Sequence, residues 1–256
     1  MGRRRELVRH GGALGFLPSA TLLVRREAVG AVAFDEEMRV GEDVDLVWRL
    51  LAAGRLVRYE PNVQVSHEMR VIPREWARRR FEYGTSAAAL DRRHPGRLAP
   101  ARPSAWNLAV NAAVLAGRPG VGAAVALTAS ALLGVRLGSA GVPLTVAPLV
   151  VGTGLVADAA ALGHALRREW WPLGWPALAL AGARRSRLGR AAAVSMLAPI
   201  ALEWWRNRPD VDPVRYVLLR LGEDAAYGSG VLVSAVAGRR PGALLPQVRF
   251  PGARGS

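Results

Sequence analysis

Behind the acidic residues Glu42, Asp43 and Asp45, the apolar residues Val44, Val47, Leu50 and Leu51 recur at helical spacing, and Gly54 stands where such a helix would close. Upstream, ATLLVRREAV (20–29) alternates and carries β-branched residues, which predicts a strand running into a helix. Downstream, Leu56 to Tyr59 and Val63 to Ser66 read as two short extended pieces split by the turn residues Pro61 and Asn62. PREWARRRFEYGTSAAALDRR (73–93) opens on Pro73 and reads as one long basic helix. Residues 1–100 are therefore expected to form a mixed α/β region.

From about residue 103 the pattern changes. Residues 119–135 and 137–157 hold no charged side chain, and only Arg136 separates them. The second run is long enough to cross a bilayer, although its Ala, Gly and Pro content makes insertion marginal. Shorter apolar stretches at 170–183, 191–202 and 225–238 read as core or interfacial helices. Trp170, Trp171 and Trp175, and later Trp204 and Trp205, neighbour Arg167, Arg168 and Arg206, the pattern of an aromatic belt at a membrane surface. The alternative is a soluble helical appendage with a tryptophan-rich core. In DPVRYVLLRLGEDAAYG (212–228), Asp212 before Pro213 predicts an N-cap, with Val217, Leu218 and Leu221 at helical spacing. Glu223 and Asp224 are given no catalytic role. Residues 101–256 are thus expected to be a helical, apolar, membrane-associated region.

Composition narrows the function classes. Hydrophobic residues make up 51% of the 256-residue chain, enough to build a core, so it is not a disordered polyelectrolyte. The formal charge is +15, yet every basic residue is arginine and none is lysine, which points to a coding bias. That charge suits an anionic surface, phospholipid or a phosphorylated substrate, better than nucleic acid, which is not expected as a partner. The absence of cysteine excludes disulfides, thiolate metal sites and a cysteine nucleophile. MGRRRELVRHGG has no apolar stretch behind its basic start, so no signal peptide is expected there. There is no P-loop, GxGxxG motif or internal repeat.

The acids admit two readings. Carboxylates in a first helical turn complement the helix dipole and accept orphan N–H bonds, worth about 0.5–1 kcal/mol each. Asp45 and Arg49, four apart, are expected to pair on the exposed face for a few tenths more. The other reading is catalytic, and it comes from the order of features. An FDE loop, Glu42-Asp43 at a helix start, Arg49 within that helix, and Pro61 leading to His67 together resemble the acceptor-binding half of an inverting family 2 glycosyltransferase of GT-A fold.

The resemblance covers about residues 12–90 and implies particular roles. Asp43 would be the general base, with Glu42 beside it, and His67 would lie near the metal and diphosphate. A histidine at a strand end is otherwise a satisfied structural residue. Arg49, Arg80 and Tyr83 become the candidates for cofactor binding. RRRFEYGTS (78–86) occupies the place of an arginine–aromatic acceptor motif, though its sequence departs from that motif, and Arg78, Arg79 and Arg80 also read as a solvated face. The divalent metal, Mg²⁺ or Mn²⁺, would be held mostly by an amino-terminal nucleotide-binding half expected before residue 1. Asp43 and Asp45 are spaced as Asp-x-Asp but sit at the base position.

YGTSAAALDRRHPGRLAP (83–100) and WWRNRPDVDPVRYVLLRLGEDAAYGSGV (204–231) extend the likeness. They are similar to the glycosyltransferases of mycofactocin biosynthesis. That family implies a nucleotide-sugar donor, UDP-glucose, and a peptide-derived redox cofactor as acceptor. The apolar runs and the tryptophan–arginine pattern add the expectation of a place at the cell membrane, on its cytoplasmic face. The rival acceptors are a polyprenyl phosphate or a cell-wall glycan. A rival of another class is a non-catalytic membrane scaffold whose acids only cap helices.

Overall fold

The computed structural model describes residues 5–9, 12, 14–29, 34–63, 65, 72–184 and 186–250, with residues 181–184 described in their backbone only. The elements, in chain order, are β1 (Glu6–Leu7), α1 (Arg26–Val29), α2 (Glu42–Ala52), β2 (Arg58–Tyr59), α3 (Pro73–Gly84), α4 (Ala87–Arg93), α5 (Ala105–Leu115), α6 (Pro119–Gly138), α7 (Val146–Arg167), α8 (Trp171–Arg184), α9 (Arg187–Asn207) and α10 (Pro213–Ala237). Strands β1 and β2 pair antiparallel, Glu6 opposite Tyr59 and Leu7 opposite Arg58. The described chain is mostly helical, and the α/β expectation is met only by this small sheet.

Of the strand running into a helix expected over residues 20–29, the helix forms as α1 and the strand does not. Ser19–Thr21 is a 3₁₀ turn followed by extended chain. Its alternation is real: Leu22 and Val24 pack against the core while Leu23 is 99% exposed. What it lacks is a partner ladder among the described residues, and a period of two reports a half-buried extended segment, paired or not. Of the second extended piece, Val63 and Val65 are exposed, and Gln64 and Ser66 lie outside the described residues.

The chain divides into two compact units. The first comprises Met1–Leu98 with Ala226–Ala243. Its core gathers Val8, Leu17, Met38, Leu46, Val47, Trp48, Leu50, Val57 and Leu90. Helix α2 supplies four of these, and it ends as its sequence dictates. Gly54 adopts φ +72, its N–H reaches Leu51 O (3.1 Å), and Arg55 N–H reaches Leu50 O (2.9 Å), a Schellman closure.

The long basic helix expected over 73–93 is interrupted at Thr85–Ser86. Both hydroxyls donate backwards, Thr85 to Glu82 O (2.7 Å) and Ser86 to Tyr83 O (2.8 Å). The Ala88 N–H, which would bond Gly84 in a continuous helix, donates instead to Ser234 Oγ (2.8 Å) on α10. Here α3 and α10 cross backbone to backbone. A Cβ on Gly84 would lie 2.1 Å from Tyr227 O, and one on Gly230 would lie 2.1 Å from Phe81 O. Gly84→Ala is therefore expected to lower stability by about 1–3 kcal/mol through overpacking, despite the better helix propensity of alanine. A thermal melt equal to that of the parent protein would show that the crossing has slack.

The second unit comprises Ala99–Ala225 with Leu244–Ser256 and is built from helices. Asp158, buried in α7, accepts from Ser104 N (2.8 Å) and Asn107 Nδ2 (2.6 Å), satisfying the entry of α5. At the other end of α7 the buried Arg167 donates to Asp224 Oδ2 on α10 (2.5 Å) and to Met196 O on α9 (2.8 Å). Its own carbonyl accepts from Trp175 Nε1 (3.3 Å). Burial pushes the neighbouring Glu169 carboxyl up to about 7, against the pull of Arg168. Asp212 caps α10 as expected, accepting from Val214 N (3.1 Å) and Arg215 N (3.0 Å).

The uncharged run 137–157 is not one helix: Arg136 lies inside α6, and the turn at 139–145 divides that run between α6 and α7. Helices α6 and α7, of 20 and 22 residues, are long and apolar enough to cross a membrane by length and composition. Only 17% of the most apolar window of each is buried within the chain, too little for the core helices of a packed bundle. Of the belt tryptophans, Trp170 and Trp204 spend their indole N–H on Leu244 O and Val211 O (both 2.8 Å). Trp205 is exposed, with the Arg208 guanidinium 3.8 Å from its ring centroid.

Candidate functional site

The chain enters α2 through Gly41 at φ +83, a conformation that disfavours a side chain. Space demands glycine as well, since a Cβ there would lie 2.8 Å from Ser86 Cβ. This close approach seats the acidic end of α2 beside the α3–α4 junction. Glu42 and Asp43 follow as the first two helical residues, both half-buried. Asp43 accepts Val44 N–H at Oδ1 (2.8 Å) and Ser19 N–H at Oδ2 (3.2 Å). Two backbone donors from different segments thus fix the carboxylate. Each of its oxygens retains a lone pair that can take a proton. Glu42 makes no side-chain bond among the described residues.

Asp45 is a different kind of acid. Its expected pair with Arg49 is present at 2.8 Å, but the carboxylate does not lie on an exposed face: it is 1% exposed. The correction has a physical cause. Asp45 turns inward because His94 and Arg93 meet it there, His94 Nε2 at 2.8 Å and Arg93 Nε at 3.9 Å. A carboxylate only accepts, so Nε2 is the protonated nitrogen of His94. The imidazole stands edge-on to Trp48 (5.2 Å between centroids), and Trp48 Nε1 donates to Gly15 O (3.0 Å). Asp35 also pairs with Arg93, and the Glu37 backbone N–H, followed by that guanidinium, holds the Asp35 carboxyl below its ordinary range.

The other candidates are placed as follows. Arg49 shares α2 with the acids, and its guanidinium is committed to Asp45. Arg80 and Tyr83 lie on α3, and neither bonds to Asp43 among the described residues. The Arg79 guanidinium sits 4.7 Å from the Tyr83 ring centroid, while Glu82 grips Arg79 (3.2 Å) and Arg78 (3.0 Å). Those two arginines hold the Glu82 carboxyl below its ordinary range. His67 lies outside the described residues. Among the described residues no group of three or more His, Cys, Asp or Glu side chains is placed to hold a metal ion. The described residues therefore do not fit the divalent metal that the resemblance implies. Sequence reasoning missed His94; a single histidine after DRR carries no periodic or spacing signal, and only its Asp45 contact marks it.

No protein-family model matches the chain, and no solved structure matches it. Among curated proteins it is similar to glycosyltransferases. The relatives are the pre-mycofactocin glycosyltransferases of two strains of Mycobacterium tuberculosis, each 36% identical over 261 residues, covering 97% of this chain and 54% of the relative. The likeness read from residues 83–100 and 204–231 thus extends along nearly the whole chain. The chain spans about half the length of the curated relatives it matches.

Proposed function

We propose that this chain forms the acceptor side of an inverting glycosyltransferase acting in mycofactocin maturation, with Asp43 as general base. The observation that carries the reading is the 36% identity along 97% of the chain to enzymes named for that step. The placement of Asp43 supports it. In a single displacement an acceptor hydroxyl attacks the anomeric carbon, the nucleoside diphosphate leaves with the bonding electron pair, and a carboxylate takes the hydroxyl proton. Asp43 is half-buried, fixed by two N–H donors, and keeps lone pairs for that proton. Glu42, one residue away and unbonded among the described residues, is assigned to accept from the acceptor's other hydroxyls.

The donor proposed is UDP-glucose and the acceptor the peptide-derived cofactor precursor. Donor nucleotide and divalent metal are assigned mostly to a nucleotide-binding half outside residues 1–256. Incubating the complete enzyme with UDP-glucose and the aglycone should add hexose masses to the aglycone. No addition, alongside turnover of a polyprenyl phosphate, would move the assignment to a lipid acceptor.

The length and apolar, largely unburied surface of α6 and α7 support a place in the cell membrane, and the transferase region is assigned to its cytoplasmic face. Membranes from expressing cells are expected to retain the protein through an alkaline wash. Its release into the supernatant would mean that neither helix is inserted.

A further inference from the structure

Beside the entry of α2, within the first unit, residues 37–40, the α3–α4 junction and α4 line a half-open hollow of about 270 Å³. Its polar lining is Glu37, Arg39, Thr85, Ser86, Arg92 and Arg93. These groups are not equivalent. Arg93 is neutralised by Asp35 and reaches toward Asp45. Arg39 and Arg92, both exposed, make no ion pair or hydrogen bond among the described residues. With Arg93 compensated, the lining keeps two guanidinium charges against the one carboxylate of Glu37. Thr85 and Ser86 have spent their hydroxyl protons on Glu82 O and Tyr83 O, so toward a ligand they offer lone pairs only.

We propose that this hollow is a binding subsite for a hydroxylated oxyanion, a phosphate or carboxylate group gripped by Arg39 and Arg92, with neighbouring ligand hydroxyls donating to Thr85 and Ser86. Guanidinium forks match two oxygens of such a group, and charge-assisted bonds of this kind are the strong ones. An arginine-rich chain carries guanidinium groups on many faces. This pair is set apart by a shared concavity, by having no carboxylate partner among the described residues, and by its position against Ser86, on which Gly41 and the start of α2 are seated. Assigning the oxyanion to the acceptor rests on the glycosyltransferase reading; the binding itself does not.

The test is calorimetric titration of the 256-residue chain in detergent micelles with inorganic phosphate and, separately, acetate. The parent protein, Arg39→Gln/Arg92→Gln and Asp43→Asn are compared. One anion is expected to bind the parent protein, to bind the double variant at least about tenfold more weakly, and to bind Asp43→Asn unchanged. Preference for phosphate or for acetate identifies which oxyanion the site takes. Both substituted arginines are exposed, so equal melting temperatures should accompany the loss. Binding of neither anion, or a loss under about threefold in the double variant, overturns the proposal. Failure of the transferase reading shows elsewhere, as normal turnover by Asp43→Asn, and leaves this binding result standing.

Discussion

Asp43→Asn is expected to lower the turnover of the complete enzyme by about 10²–10⁴, the range for loss of a general base. Its stability should change little. Asparagine keeps one side-chain oxygen to accept either Val44 N–H or Ser19 N–H, and loss of the other bond costs about 1 kcal/mol or less. The substitution removes only the ability to take a proton. Single-turnover kinetics at saturating acceptor separates this from a binding defect, because the loss should fall on the chemical step and leave KM nearly unchanged. If the asparagine variant turns over near normally, Asp43 is a helix cap and nothing more.

Asp45→Ala, two residues on, should show the opposite pattern. It removes a carboxylate that is 1% exposed and leaves the buried His94 imidazole, together with Arg49 and Arg93, without a common acceptor. Breaking a buried charged cluster from one side costs about 3–5 kcal/mol; the partial exposure of Arg49 places this case near the lower end. The midpoint of denaturant unfolding measures it. Activity should fall with the folded fraction, not through a selective loss of the chemical step. A change below about 1 kcal/mol would mean that Asp45 behaves as an ordinary surface carboxylate.

That two acids in one helical turn should differ so much was only partly legible in the sequence. What local chemistry decides could be read: the helix at Glu42–Ala52, its closure at Gly54, the cap at Asp212 and the helical, apolar character of the chain after residue 118. These depend on residues within a turn or two of one another. The inward turn of Asp45 depends on His94, 49 positions away, and helix periodicity placed Asp45 on the outer face for want of that partner. The interruption of the basic helix likewise depends on Ser234 and Gly230, which arrive on α10 from far along the chain. The supposed strand at 20–25 failed for a related reason, since alternation reports which side chains are buried and a ladder requires a second segment to pair with. For the candidate site, spacing marked Glu42 and Asp43 only as helix-start acids and the resemblance proposed their catalytic role, while the arginines of the neighbouring hollow came together only through the packing of α2 on the α3–α4 junction.

The central claim is a single displacement assisted by one carboxylate, and the anomeric configuration of the product tests it most directly. The sugar in UDP-glucose is α-linked, so attack by a hydroxyl deprotonated by Asp43 must deliver a β-glucoside. Proton NMR of the enzymatic product, read at the anomeric coupling before any further sugar is added, is expected to show the β-linkage. An α-linked product would contradict the account, because retention requires a double displacement or a front-face mechanism that a general base at Asp43 does not provide.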